Sequence, residues 1–447
     1  LIRSFSFNFF FALYQVLLKL GAPFFRYWLQ RRAKKGKEDL NRLQERWGRS
    51  TFGPFSSDTS CFWVHGASIG ESRSSLGLIE RLLNKNMGKV VLTTTTKTAY
   101  DVVGAYLPEG AIHQYLPMDR EDFFNRFISH FQPKALILIE SDLWPAMIKS
   151  AHDHGIPIYF INGRCSLRSY QRWRFVRFFF RSIAYQIDYF YAQSRQSLHR
   201  FQSLGASHAK EMINLKFAAP IEKNMMTPRE KGASAPHDDH QLYQSLFDYA
   251  WLAASTHEEE DLTMIDIHCS LLPRHQRALL IIVPRHLHRV EIIKSRCQAL
   301  GMGVEILHHI EDLTSIMLEK KPQVIIVGGY GILLNLYHLI SLVFMGGSLV
   351  PVGGHNVIEA CARGAHVLLG PHHFNLEGVI EHFSSSVTLV YNAKEIEEVL
   401  NRHFTLLLNG SISTFINSGK EEFDILHHQA CAFLDELVAK ITYTPLT

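Results

Sequence analysis

The sequence has no C-x-x-C and no zinc-ligand spacing: its six cysteines, Cys61, Cys165, Cys269, Cys297, Cys361 and Cys431, are scattered over 447 residues. That pattern excludes a disulfide scaffold and reads as reduced, mostly core cysteines in a cytosol-facing protein. H-E-x-x-H is also missing. The adjacent pairs His308-His309 and His372-His373 do not point the same way on a helix or strand, so the 25 histidines imply no catalytic metal. A strong charge of one sign is lacking too, and a net +4 gives no ground for a nucleic-acid partner. Gly66-Ala67-Ser68-Ile69-Gly70 matches the letters of G-x-S-x-G, but no Asp and His partners for Ser68 are identifiable, which leaves a serine hydrolase little support. Short repeats are absent. With 47% hydrophobic and 20% charged residues the chain is globular, and it is long enough for two or three domains.

The charge that is present is uneven. From Phe5 to Leu29 the chain is apolar and aromatic, interrupted by Lys19, Arg26 and a few uncharged polar residues, with Gly21-Ala22-Pro23 near the middle. One crossing of a bilayer needs about 20 apolar residues. Lys19 and Pro23 favour instead a shallow, broken or monotopic helix over residues 1–33. Arg31, Arg32, Lys34, Lys35 and Lys37 follow at once, which sets this flank in the cytoplasm against anionic lipid. No small-residue cleavage site follows the apolar run, which argues against a signal peptide. An ordinary buried helix is the competing reading. The opening Leu1 points to an alternative start or a truncation.

Apolar runs at 61–64, 90–94, 112–116, 135–139 and 156–161 alternate with helical periodicity and predict a doubly wound parallel sheet over 34–220. The runs at 251–254, 279–283, 324–327, 339–345 and 367–369 predict a second such lobe over 242–425. A Pro- and Gly-containing stretch over 221–241 reads as a linker, and a helix is expected over 426–447. Two lobes of this kind are expected to face each other across a central cleft, with ligands beyond the carboxyl ends of the strands.

One stretch organises the rest. Gly346-Gly347-Ser348-Leu349-Val350-Pro351-Val352-Gly353-Gly354-His355-Asn356-Val357-Ile358-Glu359 follows a strand, and Asn356 is expected to open a helix through Ile358, Ala360 and Ala362. A strand, a glycine-rich turn and a helix start aim backbone N–H groups and the helix dipole at one point, which suits a phosphate. Glu359 then suits the two hydroxyls of a ribose, or else closes a capping box with Asn356. Glu71, at a strand end behind Gly66 and Gly70, has the position of a general base, or merely favours a helix N-terminus, which would lower its pKa. Glu140 ends an apolar strand, where a carboxylate is costly unless paired; Arg164, Arg168 and Lys216 are candidate partners. Asp142 reads as an N-cap, with Pro145 in the first turn. Arg285, after Pro284, suits a forked phosphate contact or a surface ion pair.

Taken together, WVHGASIGE (63–71), LPEGAIHQYLPMD (107–119), IESDLWP (139–145), NGRCSLRS (162–169), AQS (192–194), RFQSLGA (200–206), NLKF (214–217), AASTHEEE (253–260), PRH (284–286) and GGSLVPVGGHNVIE (346–359) resemble the 3-deoxy-D-manno-octulosonic acid (Kdo) transferases. The resemblance implies a GT-B glycosyltransferase, inverting and metal-independent and without a cofactor, that moves Kdo from CMP-Kdo to a lipid A precursor at the cytoplasmic face of the inner membrane. It implies Glu71 as general base and Glu140 and Lys216 as transition-state stabilisers. Pro284, Arg285, Tyr330, Gly331, Ile332, Asn356, Val357, Ile358 and Glu359 match its CMP-binding positions. Two departures stand out. Related sequences carry E-T-E-L-W-P where this chain has Asp142, and Met-Gly-Glu where it has Tyr330-Gly331-Ile332, so only backbone contacts are expected at Ile332. Another two-lobed nucleotide-sugar enzyme, such as a 2-epimerase, and a non-catalytic membrane-associated sugar-nucleotide binder are the alternatives.

Overall fold

The computed structural model describes residues 2–55, 59–84, 88–140, 142–218, 249–409 and 418–443, with the side chains of residues 2–6, 418 and 443 outside that description. The expected linker at 221–241 lies outside the described residues. The chain divides into two compact units, one of Leu1–Ala219 with His428–Thr447, the other of Pro220–His427.

Unit 1 is built on seven parallel strands: β1 Cys61–His65, β2 Lys89–Thr94, β3 Ala111–Tyr115, β4 Pro133–Ile139, β5 Ile158–Gly163, β6 Tyr189–Ala192 and β7 Lys210–Glu211, in the spatial order β3-β2-β1-β4-β5-β6-β7. Continuous apolar runs form the central strands because helices cover both faces of the sheet. Trp63, Val91, Leu136 and Phe160 are buried there, and Trp63 packs against Phe127 at 4.4 Å between ring centroids. Strand order reverses between β1 and β4, so Glu71 and Glu140 follow the two strands that flank the switch point.

The N-terminal segment is one helix, Ile2–Lys34, continuous through Pro23 rather than broken there. Its turns on either side of the proline are held by packing. Phe7, Phe11 and Gln15, then Leu29 and Ala33, are buried at helical spacing, and Phe7 meets Phe179 at 5.4 Å. The Tyr14 hydroxyl donates to Asp119 Oδ2 at 2.7 Å, and the Gln15 amide donates to the Asp119 carbonyl. The opposite face exposes Phe9, Leu13, Leu17, Leu20 and Phe24. By length and composition Phe7–Lys34 suffices to cross a membrane. One helix thus has a packed face and an apolar exposed face, combining both expectations for it.

Unit 2 repeats the plan with β8 Ala250–Thr256, β9 Leu279–Pro284, β10 Val304–Leu307, β11 Val324–Val327, β12 Leu342–Met345, β13 His366–Leu369 and β14 Val387–Leu389, ordered β10-β11-β9-β8-β12-β13-β14 and all parallel. The strand expected over 339–345 starts later, because Leu333–Leu339 is a helix. The last helix runs from Ser418 to Tyr443, earlier than the expected 426, and from His428 onward it belongs to unit 1. There Arg81 pairs with Asp435 at 2.9 Å.

Candidate functional site

In unit 1 the helix Ile69–Asn84 starts directly beyond β1, and Glu71 lies in its first turn. Ser68 Oγ accepts the Glu71 N–H at 3.3 Å, a capping bond that accounts for this serine without a nucleophilic role. One oxygen of the Glu71 carboxylate accepts the Ala67 N–H at 2.7 Å. Burial raises the Glu71 pKa, and the neighbouring charges of Glu140 and Asp142 raise it further, against the Ala67 N–H and His65. The helix start therefore does not make Glu71 a weakened base. Its environment favours proton uptake.

Glu140 is buried and has a left-handed backbone, φ 67°. Its carboxylate takes a side-chain hydrogen bond from Asn162, a neutral residue rather than one of the expected cations: Asn162 Nδ2 donates to Oε1 at 3.3 Å. Arg164 instead donates its backbone N–H to the Glu140 carbonyl at 2.9 Å. Asn162 is itself buried and left-handed, φ 56°, at the end of β5. Its Oδ1 accepts the Leu215 N–H at 3.1 Å, tying Glu140 to the 3₁₀ turn Leu215–Ala218 that carries half-buried Lys216. Sequence reading passed over Asn162, although an Asn before Gly at a strand end is a signal for φ above zero.

Asp142 is not the N-cap. Trp144 occupies that position ahead of Pro145, and the Ala146 and Met147 N–H groups are capped from a distance by Asp119 Oδ1. The Asp142 carboxylate instead accepts the Trp144 indole N–H at 3.0 Å and lies 3.6 Å from His65 Nε2. Burial pushes its pKa up, but His65 and the indole outweigh burial and hold it below the usual range. Beyond the switch point Glu71 and Asp142 are thus pushed in opposite directions, Glu71 upward and Asp142 downward.

In unit 2, β11, β9, β8 and β12 are neighbours, so Tyr330-Gly331-Ile332, Pro284-Arg285, His257 and the 346–359 turn all follow carboxyl ends along one edge. Gly346 is required there. A Cβ on it would lie 2.3 Å from the carbonyl oxygen of Ser255. The expectation for the backbone N–H groups of this turn is corrected by Glu260. Its buried carboxylate accepts the N–H of Gly347 at 2.6 Å, Ser348 at 3.0 Å, Leu349 at 2.9 Å and His257 at 3.0 Å. Gly353 and Gly354 donate to the Gly347 carbonyl. The first half of the glycine turn is thus an internal anion cage around Glu260, and those donors do not face a ligand.

The helix after the turn is also shorter than expected, a single turn, Ile358–Ala362, so its dipole is small. Asn356 Oδ1 accepts the Ile358 N–H at 3.1 Å. Among the described residues the N–H groups of His355, Asn356 and Val357 donate no backbone hydrogen bond. Val357 and Ile358 bury their side chains, as does Ile332, so each can meet a ligand only through its backbone. Arg285 and Tyr330 are exposed, Pro284 is buried and Glu359 is half-buried. His257 and His355 stack with planes 2° apart and their Nε2 atoms 2.9 Å from each other, so one donates and the other accepts. Burial, then the charges of His257 and Arg285, push His355 down to about 4. Burial also lowers His257, with His286 and Arg285 adding to it and Glu260 opposing.

Part of this chain is similar to a known family. Residues 41–219, which contain Glu71, Glu140 and Lys216, match the family described as 3-deoxy-D-manno-octulosonic-acid transferase (kdotransferase). Over that stretch the chain resembles the Kdo transferases. A probable mitochondrial 3-deoxy-D-manno-octulosonic acid transferase of Arabidopsis thaliana is 28% identical over 94% of this chain and 93% of its own. The 3-deoxy-D-manno-octulosonic acid transferase of Haemophilus influenzae is 28% identical over 90% of this chain and 91% of its own. The fold alone is shared with Anabaena HepE in complex with UDP, at 14% identity and a TM-score of 0.54, over 85% of this chain and 98% of that one. The two-unit architecture is GT-B.

Proposed function

We propose that this protein moves Kdo from CMP-Kdo to a lipid A precursor, with inversion and without a metal. The observation that carries the reading is Glu71: a buried carboxylate with a raised pKa, at the switch point of the sheet in the family-matched unit. In the proposed reaction an acceptor hydroxyl attacks the anomeric carbon of Kdo and gives its proton to Glu71. A new carbon–oxygen bond forms as the bond from that carbon to the phosphate oxygen breaks, and CMP leaves with the bonding electrons. The guanidinium of Arg285 and the N–H groups of His355, Asn356 and Val357 receive the phosphate, while Glu359 takes the ribose hydroxyls. Pro284, Tyr330, Gly331, Ile332 and Ile358 border the nucleotide. Lys216, on the turn tied to Glu140 through Asn162, orients the Kdo carboxylate.

The test is CMP release from CMP-Kdo, with and without a lipid A precursor, for the native chain and Glu71→Ala. Release that requires the lipid and is lost in the variant is expected. Lipid-independent release would instead favour hydrolysis or epimerisation, and no release from folded protein would favour a binding-only role. If Lys216→Ala leaves turnover and donor affinity intact, its role is wrong. The exposed face of the first helix is proposed to lie in the cytoplasmic leaflet, and Leu17→Lys/Leu20→Lys should then move the protein to the soluble fraction.

A further inference from the structure

Unit 1 contains a pocket of about 460 Å³ that includes none of the residues discussed above as donor or catalytic groups. The first helix contributes Arg26 and Gln30, the 3₁₀ turn Leu40–Trp47 contributes Trp47, and Arg49, Phe123 and Arg126 line it as well. Its walls are tightly joined. Gly48 has φ 71°, and a Cβ there would lie 2.1 Å from the Phe123 carbonyl oxygen, so Arg49 is held close to the helix Glu121–Phe131. The Arg126 guanidinium donates to the Trp47 carbonyl.

Arg26, Arg49 and Arg126 line this one pocket, and no carboxylate is among its lining residues. Among the described residues the nearby acids are paired elsewhere: Glu38 with Arg32 at 3.1 Å and Arg46 at 2.8 Å, Glu45 with Arg42 at 2.9 Å, and Asp122 with Arg120 at 2.9 Å. Like charges lining one pocket repel unless an anion joins them, and arginine forks match a phosphate. Trp47 and Phe123 offer an apolar seat beside that anion. The same helix exposes Phe24, Tyr27 and Trp28 within one turn of Arg26. Phosphate chemistry next to an apolar, outward-facing surface describes an amphiphile and not a soluble nucleotide.

We propose that this pocket binds the phosphate headgroup of an anionic membrane lipid as a discrete site, with the acyl chains passing along the exposed face of the first helix. The proposal is independent of the transferase reading, because a protein with no turnover would bind the lipid equally well.

The experiment is vesicle flotation of the full chain on phosphatidylcholine with and without phosphatidylglycerol. Arg26→Gln/Arg49→Gln/Arg126→Gln is compared with Arg31→Gln/Lys34→Gln/Lys35→Gln, which removes the same charge from the same flank outside the pocket. The pocket variant should lose phosphatidylglycerol-dependent binding by about tenfold or more beyond the loss in the control, which reads the diffuse attraction of three charges. Glycerol 1-phosphate should compete with the native chain and not with the pocket variant. Equal loss in both variants would reduce the effect to diffuse attraction and overturn the site. Inorganic phosphate binding as tightly as lipid would overturn it in favour of a free-anion site. If the triple variant does not fold by circular dichroism, Arg49→Gln is compared with Lys35→Gln and should lose about threefold more binding, equal losses again overturning the site.

Discussion

The buried Glu260 carboxylate accepts the Gly347 N–H at 2.6 Å. With its bonds to Ser348, Leu349 and His257, it fixes the end of β8 against the turn after β12, the two strands at the switch point of unit 2. Glu260→Gln replaces an acceptor-only group with one that turns an NH₂ towards backbone donors. It should destabilise the protein by about 3 kcal/mol and weaken donor binding. Urea denaturation and a CMP titration check this; an unchanged midpoint would show that the cage is not needed.

Asn162→Asp separates two bonds made by one side chain. The new carboxylate still accepts the Leu215 N–H but no longer donates to Glu140, and it adds a like charge there. Folding should survive, while turnover falls about tenfold or more and the acid limb of the pH–rate profile moves upward. An unshifted limb would leave Asn162 a purely structural role.

In the proposed reaction Glu71 must be ionised to accept a proton, so its raised pKa should set the acid limb above the ordinary glutamate value. Asp142→Asn removes one of the charges that raise it. The limb should move to lower pH by about half a unit to one unit, readable also as the Glu71 carboxyl shift by NMR. An unmoved limb would mean that the Asp142 charge does not act on this group and that desolvation controls it.

Unit 2 buries several histidines in the neutral form. Burial holds His268, His366 and His403 at about 4, like His355, against an ordinary value of 6.5. A depressed histidine pKa means that the folded state binds fewer protons than the unfolded one. The stability they contribute is complete above 6.5 and is lost as pH falls from 6.5 towards 4. Denaturant midpoints measured at pH 7 and about pH 5 should differ markedly. A flat profile would contradict neutral burial.

Much of this was legible locally. Cys61-Phe62-Trp63-Val64 and Leu279 to Val283 read as strands because an apolar run covered on both faces needs no tertiary information. β6, β7, β10 and β14 did not stand out, being short and half-exposed, and without a continuous run. Pro23 misled for a different reason. A proline costs one helical hydrogen bond, and contacts at Gln15 and Leu29 on either side retained the helix.

Side-chain periodicity and turn residues are properties of neighbours in the chain, and they are enough to predict the longer parallel strands of both units and to put Glu71, Glu140, Arg285 and Asn356 beyond strand ends. Only the tertiary structure decided which groups meet. Glu260 is one of three consecutive glutamates, and nothing local selects it to hold Gly347, Ser348 and Leu349. Asn162 reaches Glu140 and Leu215, and His257 stacks on His355, because sheet order brings distant strand ends side by side. Hydrogen bonds between such ends depend on that order, which no window of sequence contains.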